Sequence, residues 1–144
     1  VQGGIPMILL SLLLIVDIFR NKYNFNVPDK TWHKIFTLLF IIWAGLLYTP
    51  MGWLSGHPYP NGPILMAPCP TVIFTIALFS TCTASKLSDK IIHTITFIPL
   101  LWWSFYSGMG APLTKGFYLD FTLFAAGLYG LFMLIRYWFI KVEN

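Results

Sequence analysis

Between Ile35 and Leu54 the chain runs for 20 residues without a single charge. A helix rises about 1.5 Å per residue, so this run matches the ~30 Å hydrocarbon core of a bilayer. Four more apolar stretches accompany it: about Gly3 to Phe19, Ala67 to Ser85, Ile91 to Ser107 and Phe117 to Ile140. Any one of them alone could be the core helix of a soluble protein. Five together in 144 residues predict an all-α, polytopic transmembrane helical bundle, a single domain over residues 1–144 with five spans. Composition agrees, since only 10% of residues are charged against about 25% in soluble domains.

Orientation follows from the cations. Arg20, Lys22, Lys30 and Lys34 flank the first connection, Lys86 and Lys90 the third, and Arg136 with Lys141 the C-terminal end, whereas the other side carries only Lys115. That bias predicts basic loops and C-terminus in the cytoplasm, with the loop 55–70 on the periplasmic or extracellular side. Aromatics fit the same frame: Trp32, Tyr137 and Trp138 at the inner interface, and Tyr48, Trp53, Trp102, Trp103, Tyr106 and Tyr118 at the outer one. The net charge of +4 therefore reads as a topology signal and not as a nucleic-acid surface. Residue 1 is Val, and parity puts it outside, so the expectation is an N-terminally truncated chain whose intact form has six spans.

The connection Ser55 to Pro70 reads SGHPYPNGPILMAPCP. Its five prolines remove too many backbone donors for a regular helix, yet Ile64 to Ala67 are apolar. Such a segment folds at the outer interface or re-enters the membrane where protein or water satisfies its carbonyls. Its plain role is a rigid cap on the helix ends. Its sharper role is a functional element, because His57, Met66 and Cys69 offer imidazole, thioether and thiolate, a donor set suited to copper. Their spacing matches no strong metal motif.

Asp120 falls in the first turn of the last span. There it either complements the positive end of the helix dipole or forms a buried acid that faces the Pro-rich loop and bonds His57, a Tyr or a backbone donor. Asp17 has Arg20 at i+3 as a partner. His33 and His93 sit at equal depth near the cytoplasmic helix ends, the placement a bis-histidine haem requires, although single interfacial histidines ordinarily bond headgroups or neighbours. No cofactor is expected beyond these copper and haem readings. The two cysteines are 13 residues apart, about 20 Å on one helix, too far for a disulfide.

Ala126, Gly127 and Gly130 form a small-residue patch on the last span, and Ala77 with Thr81 and Ser80 with Ala84 repeat that spacing on the third. Thr71, Thr75, Thr81, Cys82 and Thr83 make the third span semi-polar, bonded to its own backbone or across helices. Pro99 strips the Ile95 carbonyl of its donor, with Thr94 or Thr96 as candidates to compensate.

Tyr48-Thr49-Pro50, Gly56-His57-Pro58-Tyr59-Pro60, Ala67-Pro68-Cys69-Pro70-Thr71 with Phe74-Thr75, Ile98 to Trp102 and Asp120 together resemble a family of small bacterial multi-pass membrane proteins catalogued as a domain of unknown function. The resemblance covers roughly Tyr48 to Leu131 and implies a bacterial inner-membrane protein of about six helices. It implies no activity. Leu65, Met66 and Val72 are bulkier than that family's pattern.

Almost no intramembrane charge, no nucleotide motif and no soluble domain leave little machinery for catalysis or driven transport. The sequence therefore predicts a non-catalytic membrane subunit or accessory protein, in contact with lipids and with other subunits or further copies of itself. A small transporter or channel using His57, Cys69 and Asp120 is the first alternative. An outer-face metal-handling protein using His57, Met66 and Cys69 is the second.

Overall fold

A computed structural model describes residues 24–57, 68–83 and 86–139, together with Ile8, Leu12 and Ile15. Within these, helix α1 spans Thr31–Leu54, α2 Pro68–Phe79, α3 Leu87–Lys115 and α4 Tyr118–Phe139. Strands β1 (Asn24–Phe25) and β2 (Cys82–Thr83) form a short antiparallel ladder pairing Asn24 with Thr83 and Phe25 with Cys82.

Each boundary has a local cause. In α1 the regular helix gives way to a π turn at Trp43–Leu47 before resuming at Tyr48. Pro50 follows within a turn, and it cannot donate to the Leu46 carbonyl, so the wider turn falls where the i to i−4 ladder is already broken. The helix ends in a Schellman motif: Gly56 takes a φ of 93°, its N–H donates to the Trp53 carbonyl, and the His57 N–H donates to the Gly52 carbonyl at 3.1 Å. This fixes the direction in which His57 leaves the helix. Helix α2 opens on Pro68 and Pro70, whose missing donors cost nothing in a first turn. It ends where the Ser80 and Thr81 hydroxyls donate to the Ala77 and Leu78 carbonyls, both at 2.7 Å.

The helices run up and down. The start of α1 meets the end of α2 through His33 and Ser80, while its outer half meets the start of α4 through Tyr48 and Asp120. Trp138, near the end of α4, donates to Thr94, near the start of α3, at 2.9 Å. Helix α2 lies at the centre, and Val72, Ile73, Ile76, Ala77 and Phe79 are all buried between the other three. Small residues set the closest approach. A Cβ on Gly108 would lie 2.6 Å from the Phe124 backbone nitrogen, one on Gly127 2.7 Å from the Ser104 Cβ, and one on Gly130 2.9 Å from Ile76. The glycines on the last helix thus serve packing within the chain.

Five spans are not supported. Among the described residues two helices, α1 with 24 residues and α4 with 22, are long and apolar enough to cross a membrane. The first expected span lies outside the described residues apart from Ile8, Leu12 and Ile15, which are helical and exposed. The third, expected over Ala67 to Ser85, is a helix of only 12 residues, or about 18 Å, and Cys82 and Thr83 belong to a strand instead. The small pair 77/81 therefore straddles the helix end, and Ala84 lies outside the described residues. The fourth, expected over Ile91 to Ser107, is instead a 29-residue helix, its apolar character diluted by His93, Pro99, threonines and the Trp102, Trp103 and Tyr106 group. Pro99 is buried inside it. The expected compensation is absent, because the single proton of Thr94 goes to the Lys90 carbonyl and that of Thr96 to the Ile92 carbonyl.

Candidate functional site

The two ends of the bundle each carry a polar cluster. At the end holding the helix termini Leu54, Pro68 and Lys115, the start of α4 is a 3-10 turn over Tyr118–Asp120. Its tight winding turns the Asp120 carboxyl inward, where it is 2% exposed. Tyr48, from the segment of α1 that follows the π turn, is fully buried and donates its hydroxyl to Oδ1 of Asp120. Cys69, from the first turn of α2, donates its thiol to Oδ2 at 3.6 Å and lies 3.8 Å from the Ser107 hydroxyl on α3. Helices α1, α2 and α4 therefore meet at one carboxyl group, and α3 joins them through the Cys69–Ser107 contact. Both oxygens are occupied, so the group is held in a single orientation.

Phe117 closes the cluster from outside. Its ring meets the Tyr48 ring at 6.4 Å and the His57 ring at 4.7 Å, edge to face in both cases. Of the sequence candidates, Asp120 and Cys69 thus come together, and His57 approaches as a packing neighbour of their cover. Met66 and the prolines 58, 60 and 63 lie outside the described residues. No three His, Cys, Asp or Glu side chains group as metal ligands among the described residues. Tyr48 was expected as an outer-interface aromatic; it is buried because its hydroxyl is the acid's partner. Trp103 is likewise buried, whereas Trp53, Trp102, Tyr106 and Tyr118 are exposed as that expectation requires. At the other end Tyr137 is buried and Trp138 exposed.

The opposite end holds a cavity of about 400 Å³. His33 and His93 both line it, consistent with their equal depth in the sequence. They are differently engaged. His93 lies within 4.6 to 5.7 Å of the rings of Tyr137, Phe97 and Phe79. His33 Nε2 is 3.2 Å from the Ser80 hydroxyl, which also lies 3.2 Å from the Tyr129 hydroxyl and 3.4 Å from that of Thr37. Ser80 also donates to the Ala77 carbonyl, so one hydroxyl joins these neighbours to the end of α2. Sequence reasoning missed this network, having treated Ser80 as a packing residue and passed over Thr37 and Tyr129. Its partners lie 47, 43 and 49 positions from Ser80, and no local motif links them.

Chemically the two clusters differ in kind. The acid cluster can hold or exchange a proton at Asp120, to which a tyrosine hydroxyl and a cysteine thiol both donate. The cavity offers cations, neutral donors and an apolar floor, which is a binding surface. No curated protein and no solved structure matches the chain. A family model described as a family of unknown function, DUF6064, matches residues 4–143, and the chain belongs to that family.

Proposed function

We propose that the chain is a multi-pass protein of the bacterial cytoplasmic membrane that acts as a non-catalytic subunit or accessory protein of a larger membrane complex. One observation carries the reading: the most apolar windows of α1 and α4 are only 28% and 33% buried. A core helix of a soluble protein turns such a face inward. Here Leu38, Leu39, Leu46, Leu54, Phe132 and Ile135 all face outward, an apolar surface that needs lipid or a partner to cover it. The polar side chains inside are mostly bonded to one another or to their own helices. That inverted distribution suits a bilayer. The basic end lies in the cytoplasm on this reading, with Asp120 toward the outer face.

Gentle extraction and native mass measurement test it. The expected particle contains this chain with other subunits in fixed ratio, and a stable lone monomer overturns the reading. The buried Asp120, reached from α1 and α2, specifically favours a second reading as a small transporter or channel. That reading expects solute flux in liposomes that Asp120→Asn impairs, and undiminished flux in the variant removes Asp120 from the mechanism.

A further inference from the structure

We propose that the cavity at the basic end binds a phosphate group carrying an apolar substituent, the chemistry shared by anionic phospholipid headgroups and soluble phosphate esters. The cavity lies between the loop after β1, the turn after α2, the start of α3 and the end of α4. Its wall carries Lys30 and Arg136 against one carboxylate, Asp29. Lys34, Lys86 and Lys90 belong to the same end of the bundle, with Asp89 as the other described acid there. The local potential is therefore positive.

The two wall cations are available. Among the described residues neither forms an ion pair. The Arg136 guanidinium lies over the Trp32 ring at 5.1 Å, a stack that holds the plane of the group through its face and leaves its N–H edges to reach an anion's oxygens. Guanidinium and ammonium together suit a phosphate, the first as a planar fork and the second as a mobile point charge. His33 lines the same cavity with its Nε2 already engaged by the Ser80 hydroxyl at 3.2 Å.

The floor explains the substituent. Phe79, Phe97 and Met133 line the same cavity and are all nearly or fully buried, so an inorganic ion would fill the rim and leave an apolar hollow behind it. A headgroup with its glycerol and first methylenes would occupy both zones. Basic pockets between helices on the cytoplasmic side of membrane proteins take anionic headgroups for this reason. The inference does not depend on whether the chain is a subunit or a transporter; only the choice of a lipid as the source of the phosphate rests on the membrane reading.

The test uses the full chain in an uncharged detergent and four probes: dihexanoyl phosphatidylglycerol, dihexanoyl phosphatidylcholine, hexyl phosphate as a soluble apolar ester, and inorganic phosphate. The expected result is a rise of several degrees in the unfolding midpoint with the phosphatidylglycerol at ~100 times its dissociation constant, and none with the phosphatidylcholine at equal concentration. Arg136→Gln and Lys30→Gln should each weaken binding about fivefold, the worth of one cation near an anionic surface. Lys30 is exposed, so its variant tests the site even if Arg136→Gln fails to fold. An equal shift with hexyl phosphate assigns a soluble ester as the source, whereas an equal shift with inorganic phosphate shows that no apolar substituent is read and overturns the proposal. Equal shifts with both lipids, or binding that is unchanged in the Lys30 variant, overturn the proposal.

Discussion

The two ends of this bundle solve the problem of polar groups inside an apolar protein in opposite ways. At the Asp120 end, a carboxyl is sealed by Tyr48, Cys69 and Phe117, with each oxygen given a donor from a different helix. At the basic end, His33, Ser80 and Tyr129 bond loosely to one another beside a cavity of about 400 Å³. A sealed cluster must satisfy itself, because water cannot replace a lost partner. An open one can borrow water or a ligand. The first therefore fixes how the helices meet, and the second leaves room for something to bind.

The contrast predicts its own largest effect. Asp120→Ala removes the acceptor of the buried Tyr48 hydroxyl and one partner of the Cys69 thiol. With the gap left behind, the expected loss is about 3 kcal/mol, read as a fall in the unfolding midpoint in detergent. Asp120→Asn, which keeps the shape and one acceptor, should lose clearly less. If the two variants are equally stable, the carboxyl is not what ties the four helices together.

How much of this was legible in the sequence depends on the range of the interaction. Helices α1 and α4 were visible to within four residues of their ends, because an unbroken apolar run is a local property. Asp120 was visible as well, since a lone acid at the start of an apolar stretch stands out. Its partners were not: Tyr48 lies 72 positions away and Cys69 51, and only the fold brings them to one point. Length misled where burial changed the rule. The central helix α2 is packed on most of its faces by the other three and has only 12 residues, and Ser80 to Thr83 after it belong to a turn and a strand. Helix α3 misled the other way, because it continues past the expected end at Ser107, through Pro112, to Gly116, whose φ of 66° ends it. Family membership extends the expectation that the APCPT stretch raised, while the activity stays outside anything a motif expressed.

Between the two ends runs a seam of small residues, and it should respond with an intermediate effect. On Gly127 a Cβ would sit 2.7 Å from the Cβ of Ser104 and 3.3 Å from the Phe105 ring. Ser104 is fully buried and its hydroxyl is bonded to the Leu100 carbonyl, so it cannot rotate the clash away. Gly127→Ala should cost about 1–3 kcal/mol, whereas Gly110→Ala, whose Cβ meets nothing within 4 Å, serves as the control and should be neutral or slightly stabilising. Equal behaviour of the two would mean that α3 and α4 can separate freely, and that the ends are coupled only through α2.

The smallest effect is expected at the open end, and it is the sharpest test of the comparison. Ser80→Ala removes a partner from His33 and from Tyr129, two groups whose loss of a partner would be expensive in a sealed core. Thr37 remains 3.4 Å from the Tyr129 hydroxyl, and the cavity beside His33 admits water to its ring nitrogen. The cost should therefore fall to about 1 kcal/mol or less, below the usual penalty for orphaned donors. A loss as large as that of Asp120→Ala would show that the basic end is sealed as well, and would take away the room in which a phosphate could sit. A small loss, accompanied by faster hydrogen exchange at the His33 end of α1 than at Tyr48, is what an open, ligand-ready site at one pole and a locked helix junction at the other require.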